Sequence, residues 1–276
     1  MQVLIIDEHS YQSEKGLQIL SLDEARRSSS FKEIESKYAD KSTDNFRWAL
    51  KPFLISWLIE KGSGKVIYVD PDIYFVGPYE FLWKELEQQY VLLTPHWADL
   101  DIINNPDSVL SVMKDGLYNA GFIAASSKGK AAIDWWASAC LYKMERSSDG
   151  LYDDQKYLDL LPVQFEKVRS LTHQGCNLAS WNIQSCKREM VNGRLMINGR
   201  FEPVFIHFTK STILNISNRN DALLKTYLEE YTALLKNNGF DLNDPGQFNN
   251  VIYKAKHSIR FRTRLKRFFH RLAEKL

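Results

Sequence analysis

Val66-Ile67-Tyr68-Val69-Asp70-Pro71-Asp72 is the stretch on which the fold turns. Its apolar half reads as a buried strand. A strand that stops at two carboxylates sets both at the carboxyl edge of a sheet, where open α/β sheets bind their ligands. Alternate residues of an extended segment point the same way, so Asp70 and Asp72 can grip one hard divalent cation through oxygen. Pro71 limits how far the pair can rearrange. A cation held by few protein ligands keeps positions open for substrate phosphates. Asp-Pro-Asp is equally ordinary turn chemistry, so the triplet takes its meaning from the chain around it.

Working outward, Val3–Ile6 reads as a strand ending at Asp7-Glu8. Val91-Leu92-Leu93 reads as another, running into Thr94-Pro95-His96. Asn119–Ala125 is a further strand with Gly121 inside it, and Val204–Phe208 a last one, leading to His207 and Lys210. Between them lie helical patterns: part of Ser21–Lys41, then Phe46–Glu60 with Phe46, Leu50, Phe53, Leu54, Trp57 and Leu58 at helical spacing. Pro52 would kink that helix, and Gly62-Ser63-Gly64 ends it. Ala131–Tyr142 and the short Asp154–Leu160 follow. Ala222–Leu235 is a packing helix capped by Asn220 or Asp221 and closed by Gly239. Strands alternating with helices argue for an α/β domain with a mostly parallel central sheet.

The chain has 276 residues and a formal net charge of +2, unevenly spread. Residues 254–276 hold nine Lys/Arg and one Glu, which leaves 27 Lys/Arg and 33 Asp/Glu for residues 1–253. The body is mildly acidic and the tail seeks an anionic surface. Three cysteines without CxxC spacing indicate neither a disulfide framework nor a zinc site. The start lacks the basic region and long apolar stretch of a signal peptide, and no apolar run reaches the length of a membrane span. These features predict a cytoplasmic protein.

Several stretches together resemble bacterial nucleotide-sugar glycosyltransferases of the GT-A fold related to glycosyltransferase family 8. They are Lys51-Pro52-Phe53, Val66–Ile73, Leu93-Thr94-Pro95-His96, Tyr118-Asn119-Ala120-Gly121-Phe122, Trp135-Trp136, Asp154-Gln155, Asn177-Leu178-Ala179-Ser180-Trp181-Asn182 and Phe205-Ile206-His207-Phe208. They run in the family's order from about residue 3 to about residue 210. The resemblance implies a single GT-A domain over 1–215, a packing helix over 216–242 and a basic tail over 243–276.

By the same resemblance Asp70 and Asp72 match the DxD pair, and His207 completes a divalent-metal site. Manganese is preferred there and magnesium is the alternative, because an imidazole beside carboxylates suits manganese. Asp70, Asp72, Asn119, Gly121 and Lys210 would bind a nucleotide-sugar donor, a UDP-sugar first. Asp154 and Gln155 would line the reacting hexose, in a transfer that retains configuration. His96 and Trp181 would face the acceptor, a glycan or lipid-linked glycan of cell-surface polysaccharide synthesis. Core or structural roles are open for each of these residues too: a strand histidine for His207, a bulge for Gly121, a helix-start aspartate for Asp154.

Family members begin with a further strand and helix before the segment that here starts at Val3. The alternative function is therefore a catalytically inactive or truncated relative that acts as a binding or partner protein. In the tail, Phe261, Leu265, Phe268, Phe269, Leu272 and Leu276 share a helical stripe with basic residues on the rest. Such a helix binds an anionic membrane surface at the inner face of the cell membrane. Its apolar stripe favours membrane over nucleic acid, so no nucleic-acid partner is expected. Packing of the helix on the body is the other option.

Overall fold

The computed structural model describes residues 1–6, 13, 15–39, 43–147, 150–240 and 242. It opens with β1 (Gln2–Leu4) and β2 (Gln18–Leu20), which pair in parallel. Helices α1 (Leu22–Ala25), α2 (Ser29–Tyr38) and α3 (Thr43–Glu60) follow. Then come β3 (Lys65–Val69), β4 (Ile73–Phe75), α4 (Glu80–Gln88), β5 (Val91–Pro95), α5 (Pro106–Asp115), β6 (Tyr118–Ser126) and α6 (Lys130–Tyr142). After a 3-10 turn over Lys156–Leu160, the chain forms α7 (Leu161–Gln164), β7 (Val168–Ser170), β8 (Arg188–Val191), β9 (Arg194–Ile197) and β10 (Phe205–His207). Helices α8 (Lys210–Ser217) and α9 (Lys225–Asn237) complete the described elements.

The central sheet has the order β3-β6-β5-β7. β5 and β6 are largely apolar on both faces because both faces are covered. Val66 of β3, Val91 and Leu93 of β5, and Ile123 and Ala125 of β6 join one core with residues of α2, α3 and α6. The residues between them, Ile67, Leu92, Phe122 and Ala124, belong to a second core with Leu82 and Leu86 of α4. This is the two-residue alternation of a pleated strand. α3 keeps Pro52 in its interior, where the ring denies the Trp48 carbonyl its usual donor.

The α/β class with a central sheet holds, and all but one of its four strands point the same way. β3, β5 and β7 run one way, but β6 lies between β3 and β5 and is antiparallel to both. The connection 96–117 leaves and rejoins the sheet at one end of β5, with the His96 amide donating to the Leu117 carbonyl at 3.0 Å. No crossover is needed, so the strands meet head to tail.

The chain divides into two units, Met1–Ile206 and His207–Leu276. The division falls inside β10, so His207 closes a strand begun in the first unit. In the second unit Phe208 stacks on Tyr231 at 4.6 Å between ring centroids. Thr209 caps α8 by accepting from the Thr212 amide, and Gly239 follows α9 at φ 83°. Among the described residues no helix is long and apolar enough to cross a membrane. The expected tail helix lies outside the described residues.

Candidate metal centre and adjoining cleft

β3 ends where the sequence places its end, and the chain then turns. The Ile73 amide donates to the Asp70 carbonyl at 3.0 Å, closing a four-residue turn with Pro71 in the position proline favours. Asp70 and Asp72 are thus not alternate residues of an extended segment, as expected from sequence. The turn itself converges them. Beyond it β4 pairs with β10, whose last residue is His207. One ligand atom from each of Asp70, Asp72 and His207 lies within 4.8 Å of the others, with His207 buried and both aspartates half-buried. Two carboxylates and an imidazole at this spacing fit a divalent cation.

Asp70 also faces a polar cleft of about 120 Å³, lined by Lys51, Asn119, Gly121, Asp154 and Gln155 among others. Tyr68, two residues earlier on the same face of β3, donates to Asp70 Oδ1 at 2.7 Å. Lys51 Nζ donates to Asp70 Oδ2 at 3.1 Å and lies 3.5 Å from Asp154 Oδ2. Lys51 is only 6% exposed and Asp154 only 3%. Burial works against the lysine's charge, but Asp154 and Asp70 outweigh it and hold its pKa above the ordinary value. Burial pushes the Asp154 carboxyl up to about 6, against the pull of Lys51. Trp136, wholly buried in α6, donates to the Asp154 carbonyl at 2.8 Å and fixes its backbone.

A chain of amides and an imidazole continues from there. Gln155 Oε1 accepts from the Ala120 amide at 3.1 Å, and its Nε2 donates to the Asp115 carbonyl at 2.8 Å. Asn119 Nδ2 stands 3.4 Å from both Gln155 Oε1 and His96 Nε2. His96 Nδ1 lies 3.0 Å from the Gly116 carbonyl. A carbonyl only accepts, so this contact assigns a proton to Nδ1. Trp181 packs edge-on against His96 at 5.6 Å. Gly121 lies inside β6. It lines the cleft, and it sits where the β5–β6 register shifts, since Leu93 pairs with Ile123 but Thr94 pairs with Asn119.

Asp70, Asn119, Gly121, Asp154 and Gln155 therefore share one cleft, with His96 and Trp181 continuing from Asn119. Lys210 begins α8 in the second unit. Sequence reasoning missed Lys51 as a site residue. Its signal was a lone cation among apolar neighbours in Trp48–Trp57, which requires a buried counter-charge. It also missed Arg146, which bonds Asp153 and lies 4.5 Å above the Tyr152 ring at the cleft wall.

The chain matches no protein-family model. It is 25% identical to the uncharacterized protein YfnF of Bacillus subtilis over 177 residues, covering 62% of this chain and 58% of YfnF. It is 25% identical to the uncharacterized protein YfnD of the same organism over 189 residues, 66% of this chain and 58% of YfnD. The chain thus spans 58% of the length of each of these relatives. Among solved structures, apo mouse xyloside xylosyltransferase 1 aligns with a TM-score of 0.41 and 10% identity, over 71% of this chain and 76% of that one.

Proposed function

We propose that this protein is a metal-dependent glycosyltransferase that moves a hexose from a nucleotide-sugar donor to a glycan or lipid-linked acceptor. The observation that carries the reading is the convergence of Asp70, Asp72 and His207 beside the cleft of Asp154 and Gln155. A divalent cation bound by the triad, manganese by preference and magnesium otherwise, supplies positive charge against the diphosphate of a UDP-sugar. Lys210 begins a helix, where the peptide dipoles disfavour a cation unless an anion is close; a donor phosphate is such an anion. Asp154 and Gln155 border the reacting sugar. Gln155 is held by Ala120 and Asp115, so its amide is oriented before substrate arrives. Asn119 and the backbone at Gly121 complete the donor side, and His96 with Trp181 forms the acceptor side. In this reading the transfer retains configuration and serves polysaccharide synthesis in the cytoplasm, at the inner face of the membrane, with the basic tail on anionic lipid.

The test is release of UDP from a panel of UDP-sugars with manganese present. Asp72→Asn, which keeps the size and removes the charge, should lower the rate roughly a hundredfold or more. Full activity in chelator, or in the variant, would refute the reading. The anomer formed, followed by NMR, reports retention or inversion.

A further inference from the structure

The acceptor side is built on a strained backbone. Trp97, directly after His96, has φ 54°, a left-handed conformation that bulky residues rarely adopt. Such a conformation persists only where the surroundings over-determine it, and here they do. Asn182 is wholly buried. Its Nδ2 donates to the His96 carbonyl at 3.1 Å and to the Asn177 carbonyl at 2.7 Å. Its Oδ1 accepts from the Ala179 amide and from Arg188 Nη2, each at 3.1 Å. Two donors on one side settle which end of the amide is oxygen. Ser185 donates to the Trp97 carbonyl, and Trp97 Nε1 to the Cys176 carbonyl at 3.1 Å.

Arg188 closes this cage. Nη2 donates to the Ala179 carbonyl and Nη1 to the Asn182 carbonyl, each at 3.0 Å, and Nη1 also donates to the Cys186 carbonyl. The guanidinium so grips both ends of the Ser180–Asn182 turn, whose middle residue is Trp181. A planar fork can do this and a point-charge ammonium cannot.

We propose that Arg188 is a positioning residue: through Asn182 it holds His96 and Trp181 as one preformed wall for the acceptor. What the wall binds rests on the glycosyltransferase reading; how the wall is held does not. A wall ordered in advance spares the acceptor the cost of ordering it.

The test uses the full chain with 5-fluorotryptophan at its seven tryptophans, read by fluorine NMR, with Trp97 and Trp181 assigned by single Phe replacements. Arg188→Lys should shift or broaden those two lines and leave the other five in place. An unmoved Trp181 line overturns the clamp. If every line collapses, amide exchange of the unaltered chain decides. The Ala179 amide should exchange as slowly as the core strand β6, and exchange at the rate of an exposed loop overturns the clamp. The same lysine variant is assayed for UDP release to water and for transfer to p-nitrophenyl glycosides. Transfer should fall about tenfold or more relative to hydrolysis, and equal losses overturn the acceptor-side assignment. An unaltered chain that releases no UDP overturns the proposed function, while the NMR lines still judge the clamp.

Discussion

Replacing Lys51 by methionine keeps the side chain's length and removes its charge. The ammonium lies 3.1 Å from Asp70 Oδ2 and 3.5 Å from Asp154 Oδ2. Asp70 is partly exposed, so losing that partner costs about 1 kcal/mol. Asp154 is the decisive group. Burial raises its carboxyl from 3.8 to about 6 although Lys51 opposes the rise. A carboxyl whose folded value exceeds its unfolded one destabilises the fold as it ionises. That penalty is absent below pH 3.8 and complete above about pH 6. Without Lys51 the folded value rises further, and Asp154 keeps its proton to higher pH. A proton held only by the folded chain lowers stability by about 1.4 kcal/mol for each unit of rising pH. The Asp154 contribution is level above pH 6 in the unaltered chain and keeps falling in the variant. The gap between them should be about 1 kcal/mol at pH 6 and widen by roughly 1 kcal/mol for each further pH unit until the variant's carboxyl ionises. Urea unfolding in chelator at pH 6, 7 and 8 measures it. Adding Asp154→Asn to the variant should remove most of the slope. A gap that does not change with pH would refute the claim that Lys51 and Asp154 share one charge balance.

Gly175→Ala tests the support beneath His207. A Cβ at Gly175 meets the Glu202 carbonyl, just before the strand that ends in His207. Overpacking there should cost about 1–3 kcal/mol in urea unfolding and weaken manganese binding in calorimetry; no change in either would dismiss the coupling. In the tail, Phe268→Glu with Phe269→Glu should release the protein from anionic vesicles, and salt should weaken binding of the unaltered chain. Retention of the double variant on vesicles would favour a helix packed on the body.

The strands β3, β5 and β6 were legible because they are covered on both faces and so read as apolar runs, bounded by glycine or by polar residues. α3 and α6 were legible through their length and their high apolar content. β8 and β9 escaped notice although their two-residue turn, Asn192-Gly193, has positive φ at both positions (50° and 76°) and is a strong hairpin signal. α4 and α5 escaped notice although both are clearly amphipathic; they are short, nine and ten residues, and low in mean apolar content.

The sequence by itself determined that two carboxylates follow a buried strand, since both the apolar run and the acidic triplet are local. It could not determine that they converge through a turn, that β6 runs against its neighbours, or that β4 and β10 pair and bring His207 to Asp70 across 136 intervening positions in the chain. Only tertiary structure decided that Lys51 belongs to the site. A lysine's place in a helix is read from spacing, but its counter-ions, Asp70 and Asp154, come from remote segments. Burial then makes their pairing obligatory, because an unpaired charge in a low-dielectric interior is too costly to keep.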